Sequence, residues 1–303
     1  MPMQLSTSPS LFYWQPKAWL HVAGEDAAGF LQGQFTNELR NATSGKAVYG
    51  LWLNLKGRVL GDSFVIPEAL AGGRVSYWIG SYFSSAETIR ARLESHIIAD
   101  DVAIDDFTSE WSGVTVMGEG ADGVVQAAIS LVELGITFQG RRGVTPAVEW
   151  LFPNEAKVRV EAALATWSQL RRDDVESLRI KAGIPAVPTD VGMSDLPNEG
   201  ALEVDAISYT KGCYLGQEVM ARLKSMGQVR RRLHRVRSPV AELPALPAPL
   251  FIADRKVGEL RSAVKVDAAG FVGLAMLSLL HVTAMSGLAL SPNGEPVVHM
   301  DQP

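Results

Sequence analysis

A chain of 303 residues with a single cysteine, Cys213, must hold itself together without a disulfide. It has no CxxC pair either, so its own thiolates cannot build a zinc or iron–sulfur centre. The fold therefore rests on buried apolar surface. With 47% hydrophobic and 20% charged residues, there is enough for two or three domains with cores of their own.

One stretch tests whether that surface is buried in protein or in lipid. Phe271 to Gly294 carries no charged residue and is long enough to cross a bilayer. Gly273, Ser278, His281, Thr283, Ser286 and Gly287 interrupt it, so two buried strands joined near His281 fit better than a membrane tail. The opening MPMQLSTSPS lacks a basic segment followed by an apolar one, so no secretory or transit signal is visible and a cytoplasmic protein is the simplest reading. The net charge of −5 argues against a general nucleic-acid binder, although Arg222 to Arg237 holds seven Lys or Arg residues and no acid.

No fixed-period repeat is present, so the fold comes from elements in series. A short helix is predicted from Glu25, with Ala27, Phe30, Leu31 and Phe35 at helical spacing. Ala47–Leu55 and Arg58–Ile66 read as strands joined at Lys56-Gly57, followed by a strand over Val75–Gly80, a helix marked by Phe83, Ala86, Ile89, Leu93 and Ile97, and a strand over Val102–Phe107. A second mixed segment has strands near Val114–Met117 and Ala147–Phe152 and helices from Ala121, Glu155 and Asp173. The last of these stops at Gly183 and Pro185, leaving Ile184–Gly200 as a loop. Pro239, Pro244, Pro247 and Pro249 exclude a helix or a central strand and read as a linker to a small all-β unit.

The segment Lys211-Gly212-Cys213-Tyr214-Leu215-Gly216-Gln217-Glu218, followed by Ala221-Arg222, has the makings of a reactive-thiol site. A free thiol is only about 3% ionised at pH 7, and a nearby cation or helix N-terminus raises that share. Lys211 is two residues away, and Gln217 onward reads as a helix start, with Gly212 and Gly216 allowing tight turns. On base rates alone, an isolated cysteine is a small buried hydrophobe and Lys211 a solvated surface lysine.

The same segment closely resembles the signature of the YgfZ-type folate-binding proteins. Phe30-Leu31-Gln32-Gly33-Gln34 with Thr36-Asn37, Lys56-Gly57-Arg58 and Ala182-Gly183-Ile184-Pro185 support the resemblance along the chain. That family is similar in fold to the glycine-cleavage T-protein, a tetrahydrofolate-dependent aminomethyltransferase. The resemblance implies an α+β, three-lobed cloverleaf of two mixed α/β lobes and a small C-terminal β-barrel. The expected division is a discontinuous folate-binding lobe over 1–45 and 110–238, an inserted β-β-β-α-β lobe over 46–109, and the barrel over 239–303.

Cys213 and Lys211 are then the expected reactive pair, supported by Gly212, Tyr214, Gly216, Gln217, Glu218 and Arg222. Where the T-protein has an acidic or neutral residue and an arginine, this chain has Cys213 and Gln217, which favours the YgfZ branch. For folate, the resemblance points to Asp62, Glu199 and Arg232. Gly57 to Asp62 keeps only the second acid of the T-protein's Gly-Gly-x-x-Asp-Asp stretch, which weakens the case for aminomethyl transfer. Pro197-Asn198-Glu199 resembles a Pro-x-Glu segment whose carboxylate holds the pterin ring, a good match to paired N–H donors. Arg230, Arg231 and Arg232 suit a polyglutamate tail or an RNA phosphate, or form an ordinary basic strand face. Trp14 and Trp19 suit stacking on a pterin, or core packing.

The leading expectation is a tetrahydrofolate-binding protein, a monomer without membrane attachment. It supports iron–sulfur cluster assembly or repair in client enzymes, including those that thiolate tRNA, with assembly or client proteins as partners and tetrahydrofolate or a one-carbon derivative as ligand. The rival is a folate-dependent aminomethyl- or methyltransferase. An RNA-binding module is a distant third, given the acidic charge and the absence of an RNP-like motif.

Overall fold

The computed structural model describes residues 8–43, 45–266 and 270–301. The chain opens with β1 (Ser10–Trp14), β2 (Ala18–Ala23) and α1 (Ala27–Gln34). The predicted β-β-β-α-β run follows as β3 (Val48–Leu53), β4 (Val59–Ala69), β5 (Val75–Ser81), α2 (Ala86–Glu94) and β6 (Ala103–Asp106). Next come β7 (Trp111–Met117), α3 (Ala121–Val132), β8 (Ile136–Gln139), β9 (Ala147–Pro153), α4 (Lys157–Ala163), β10 (Ser168–Gln169) and α5 (Arg172–Lys181). After the loop and α6 (Gln217–Met226) the chain is all β: β11 (Arg231–Ser238), β12 (Ala248–Ile252), β13 (Arg255–Lys265), β14 (Phe271–Ser278), β15 (Gly287–Leu288) and β16 (Val298–Met300).

These strands form three sheets, ordered β10-β1-β7-β9-β8, β3-β4-β5-β2-β6 and β12-β13-β14-β11-β16-β15. The first buries Val114, Val116, Trp150 and Phe152 under α3 and α4, whose apolar positions Val125, Ala128 and Val160 recur at helical spacing. The second buries Leu20, Trp52 and Ile79 under α1 and α2. The third curls on itself, and a bridge between Phe251 and Ala289 nearly closes it into a barrel. An aromatic cluster of Trp19, Phe64, Trp78 and Phe138 welds the first two sheets together, while Ile180 of α5 packs on Val264 and Leu274 of the third.

Two expected boundaries run through sheets. β2 precedes residue 46 yet pairs with β5 and β6, at the heart of the sheet to which 46–109 belongs. β11 precedes residue 239 yet pairs with β14 over its whole length. The apolar run splits as expected into β14 and, past a turn at His281, a second strand, but only Gly287–Leu288 of that second half is regular strand. No helix among the described residues is long and apolar enough to cross a membrane.

Candidate functional site

Cys213 is exposed, and its neighbours explain how it is kept there. On one side Lys211 is half-buried and its Nζ donates to three carbonyls at the end of α1: Gln32 (2.8 Å), Phe35 (2.6 Å) and Asn37 (2.9 Å). Gln32 O belongs to the last turn of α1, whose carbonyls a helix end leaves without amide partners, and a cation suits it. On the other side Tyr214 is buried against Leu53, Val59 and Met220. Gly212 and Cys213 are thus the exposed crest of a loop pinned at both feet. Burial pushes the Lys211 amine down to about 8, against the opposing pull of the Glu38 carboxylate. Lys211 was expected as a cation for the thiol; in the structure its ammonium holds the loop to α1.

The remaining motif residues complete the anchoring. Gln217 Oε1 accepts from the Tyr214 amide (3.1 Å), and the Leu215 amide donates to Gly33 O (3.2 Å). Gly216 stands at φ +85°, where a Cβ would meet Asn54 O at 2.9 Å, so the loop and the Lys56-Gly57-Arg58 turn press together. Gly57, at φ +68°, is equally tight against Val219 and Met220 of α6. Thr36 Oγ1 donates to Ala206 O (2.7 Å), and Asn37 Nδ2 to Tyr49 O and Asp205 O. Three motifs far apart in sequence therefore meet around the cysteine loop. Glu218 in the first turn of α6 and Arg222 one turn later are exposed.

The three residues expected to hold folate lie elsewhere. Asp62 is buried, and its carboxylate accepts from Ser81 (2.8 Å), Ser84 (2.7 Å) and Tyr49 (3.0 Å) hydroxyls. Burial raises its pKa despite those donors. Glu199 is buried in a 3-10 turn over Pro197–Gly200, where Arg231 grips both its oxygens at 3.1 Å and the Leu196 amide donates to it at 2.9 Å. Arg232 is exposed on β11, with Glu203 in its field.

The site that sequence reasoning did not assemble is a cavity of about 500 Å³ where the three sheets meet. Its wall combines Phe12, Trp14, Tyr82 and Phe83 with Arg141, Arg142, Arg172 and Arg179. Volume and lining are those of a small-molecule site. Neither Cys213 nor Asp62, Glu199 or Arg232 lines it. Trp14, one of the two expected stacking residues, does; Trp19 is fully buried in the core.

Arg142 is a buried cation of the cavity wall. Its Nε donates to Glu149 Oε1 (3.0 Å) and Thr115 Oγ1 (2.8 Å), and its guanidinium lies 3.8 Å from the Tyr82 ring centre and 4.6 Å from that of Trp14. Glu149 also accepts from the Tyr82 hydroxyl at 2.6 Å, and burial with that carboxylate raises the tyrosine pKa well above its ordinary value. Arg142 Nη2 and Trp14 Nε1 are buried without any acceptor. Leaving such a donor unmet costs about 1–3 kcal/mol. Aromatic side chains and surplus cations fit a planar heterocycle with an acidic tail, as folate is.

The three-sheet architecture is that of the glycine-cleavage T-protein. Aminomethyltransferase T from Bartonella henselae superposes with a TM-score of 0.76, covering 96% of this chain and 84% of that one at 18% identity, a likeness of fold alone. Residues 6–139 match the model of the GCVT N-terminal domain. In sequence the chain resembles YgfZ-type proteins. It is similar to the iron–sulfur cluster assembly factor IBA57 of mouse mitochondria, 27% identical over 86% of this chain and 75% of that one. Human IBA57 is 28% identical over 88% and 79%. The tRNA-modifying protein YgfZ of Colwellia psychrerythraea is 26% identical over 71% and 67%.

Proposed function

We propose that the protein supports assembly or repair of iron–sulfur clusters in client enzymes, tRNA-thiolating enzymes among them, through the Cys213 thiol, and binds tetrahydrofolate or a one-carbon derivative in the cavity between the sheets. The observation that carries this reading is the presentation of Cys213: an exposed thiol whose loop is fixed by a half-buried ammonium on one side and a buried tyrosine on the other. A pinned, accessible thiolate is what cluster or persulfide exchange with a partner requires. The names of the relatives, assembly factors and a tRNA-modifying protein, support the same reading.

Within the cavity, aromatic side chains of the wall would meet the ring of folate, and the guanidiniums would take its oxygens and carboxylates. The cofactor itself supplies a carrier for one-carbon units. Asp62 is engaged by three hydroxyls, so no free carboxylate stands there to polarise a folate amine, and the transferase reading loses its residue. The client or assembly proteins would meet the thiol at the surface. We take the acting species to be a cytoplasmic monomer with three units, one for each sheet.

Two experiments test this. In cells lacking the protein, activities of iron–sulfur enzymes should fall and recover on re-expression; unchanged activities would remove the assembly role. Titration with tetrahydrofolate should give a saturable change in tryptophan fluorescence, since Trp14 lines the cavity, with matching heat in calorimetry. Absence of both signals would remove folate.

A further inference from the structure

Three arginines are buried among the described residues, and the fold does not treat them alike. Arg142 pairs with Glu149, and Arg179 with Glu176 and Asp190. Arg92 of α2, 7% exposed, has no carboxylate partner among the described residues: its Nε donates to Leu53 O (3.1 Å), and its Nη1 lies 2.9 Å from His96 Nδ1. Burial lowers its pKa to about 10, so it keeps its charge at pH 7. A buried charge is ordinarily paired, yet this one lines a surface pocket of about 360 Å³ with His96, Lys56, Asn54, Leu55 and Leu215, none of them an acid. Lys56 is exposed, and its ammonium is unpaired among the described residues.

The pocket adjoins the cysteine loop. Leu215 is two residues from Cys213, so their Cα atoms lie within about 7 Å, and Gly216 presses on Asn54 O. Leu55, in the turn between β3 and β4, is 78% exposed. Resting on the reading of Cys213 above, we infer that this pocket is where the partner protein that meets the thiol docks, seating an acidic side chain against Lys56 and an apolar one on Leu55. Charge complementarity argues for the acid: a cleft lined by cations alone draws a negative group, and Arg92 adds its field from within the wall. Only Lys56 of the three basic side chains is exposed, and two leucines share the lining, which suits a protein side chain and not a phosphate backbone. Docking here sets the register in which the partner's reacting group arrives at Cys213.

Opposite charges placed at one exposed position test the inference. In cells lacking the protein, Leu55→Asp should restore iron–sulfur enzyme activity at least about fivefold less well than the unaltered chain, since it sets carboxylate against carboxylate, whereas Leu55→Lys should restore it within about twofold. Leu131→Asp, on α3 and 75% exposed, should restore it in full. Alkylation of Cys213 by iodoacetamide should run at the same rate in the purified variants and the unaltered chain; a rate that falls in step with activity would place the loss in the thiol and overturn the inference. Full restoration by Leu55→Asp, or an equal loss in Leu55→Lys or Leu131→Asp, overturns it too and leaves the role of Cys213 standing. Failure of the unaltered chain to restore activity overturns that role and this inference with it. Binding of total tRNA that Leu55→Asp abolishes would assign the pocket to nucleic acid and overturn the inference likewise.

Discussion

The cysteine loop and the cavity between the sheets are built by opposite means. In the loop the reactive group is outside and its supports are inside: Lys211 on three carbonyls, Tyr214 in a core. In the cavity the supports are also the recognition groups, because Arg142 is at once the partner of buried Glu149 and a wall of the site. The difference teaches where substitutions separate function from folding. Removing the Cys213 sulfur should leave the fold alone, whereas removing the cavity's buried cation strikes both.

The largest effect on stability is expected at that buried cation. Arg142→Met would leave the Glu149 carboxylate buried and without its cation, a loss of about 3–5 kcal/mol, against less than about 0.5 kcal/mol for Cys213→Ala. Urea unfolding of the two variants measures the gap, and similar losses would break the contrast. A smaller effect, about 1.5–3 kcal/mol, is expected for Lys211→Met, which removes the ammonium from its carbonyls. That variant keeps the thiol yet frees one foot of the loop, so it should impair cluster support while leaving tetrahydrofolate affinity within about twofold of the unaltered protein, about 0.4 kcal/mol. A large loss of folate affinity in Lys211→Met would show that the two regions are coupled.

The smallest effect is electrostatic and lies behind the cavity. Burial pushes the Asp195 carboxyl up, but Arg261, at 2.6 Å, with the Gly192 amide and Arg231 brings it below its ordinary value of 3.8. A carboxyl lowered in the folded state contributes stability that is present above its unfolded pKa and is lost as pH falls through the folded one. Thermal unfolding should therefore show a decline below about pH 4 that is shallower in Asp195→Asn, even though that variant starts less stable at pH 7. Parallel curves would remove Asp195 from the network.

Much of the loop was legible in the sequence because its signals are local. Gly216 before Gln217 marked the start of α6, Lys56-Gly57 marked the hairpin, and Gly183 with Pro185 marked the end of α5. The cavity was not legible, since its wall draws on β1, the turn after β5, the segment before β9, α5 and β13, and no spacing rule joins them. Trp14 alone carried a hint, as an aromatic suited to stacking. The partners of Asp62 and Glu199 were not legible either, because motif position names a residue type, not its partners; three hydroxyls and Arg231 engage them here. The strands β1 and β2 escaped notice because they were read only for their tryptophans, although Trp19, Leu20 and Val22 of β2 are fully buried.

The central claim is that Cys213 acts from a loop the fold is built to hold out. It is tested most directly by iron–sulfur enzyme activity in cells lacking the protein, complemented with the unaltered chain or with Cys213→Ala at equal expression. The account predicts recovery with the first and activity no higher than in uncomplemented cells with the second. Full recovery with Cys213→Ala would contradict it.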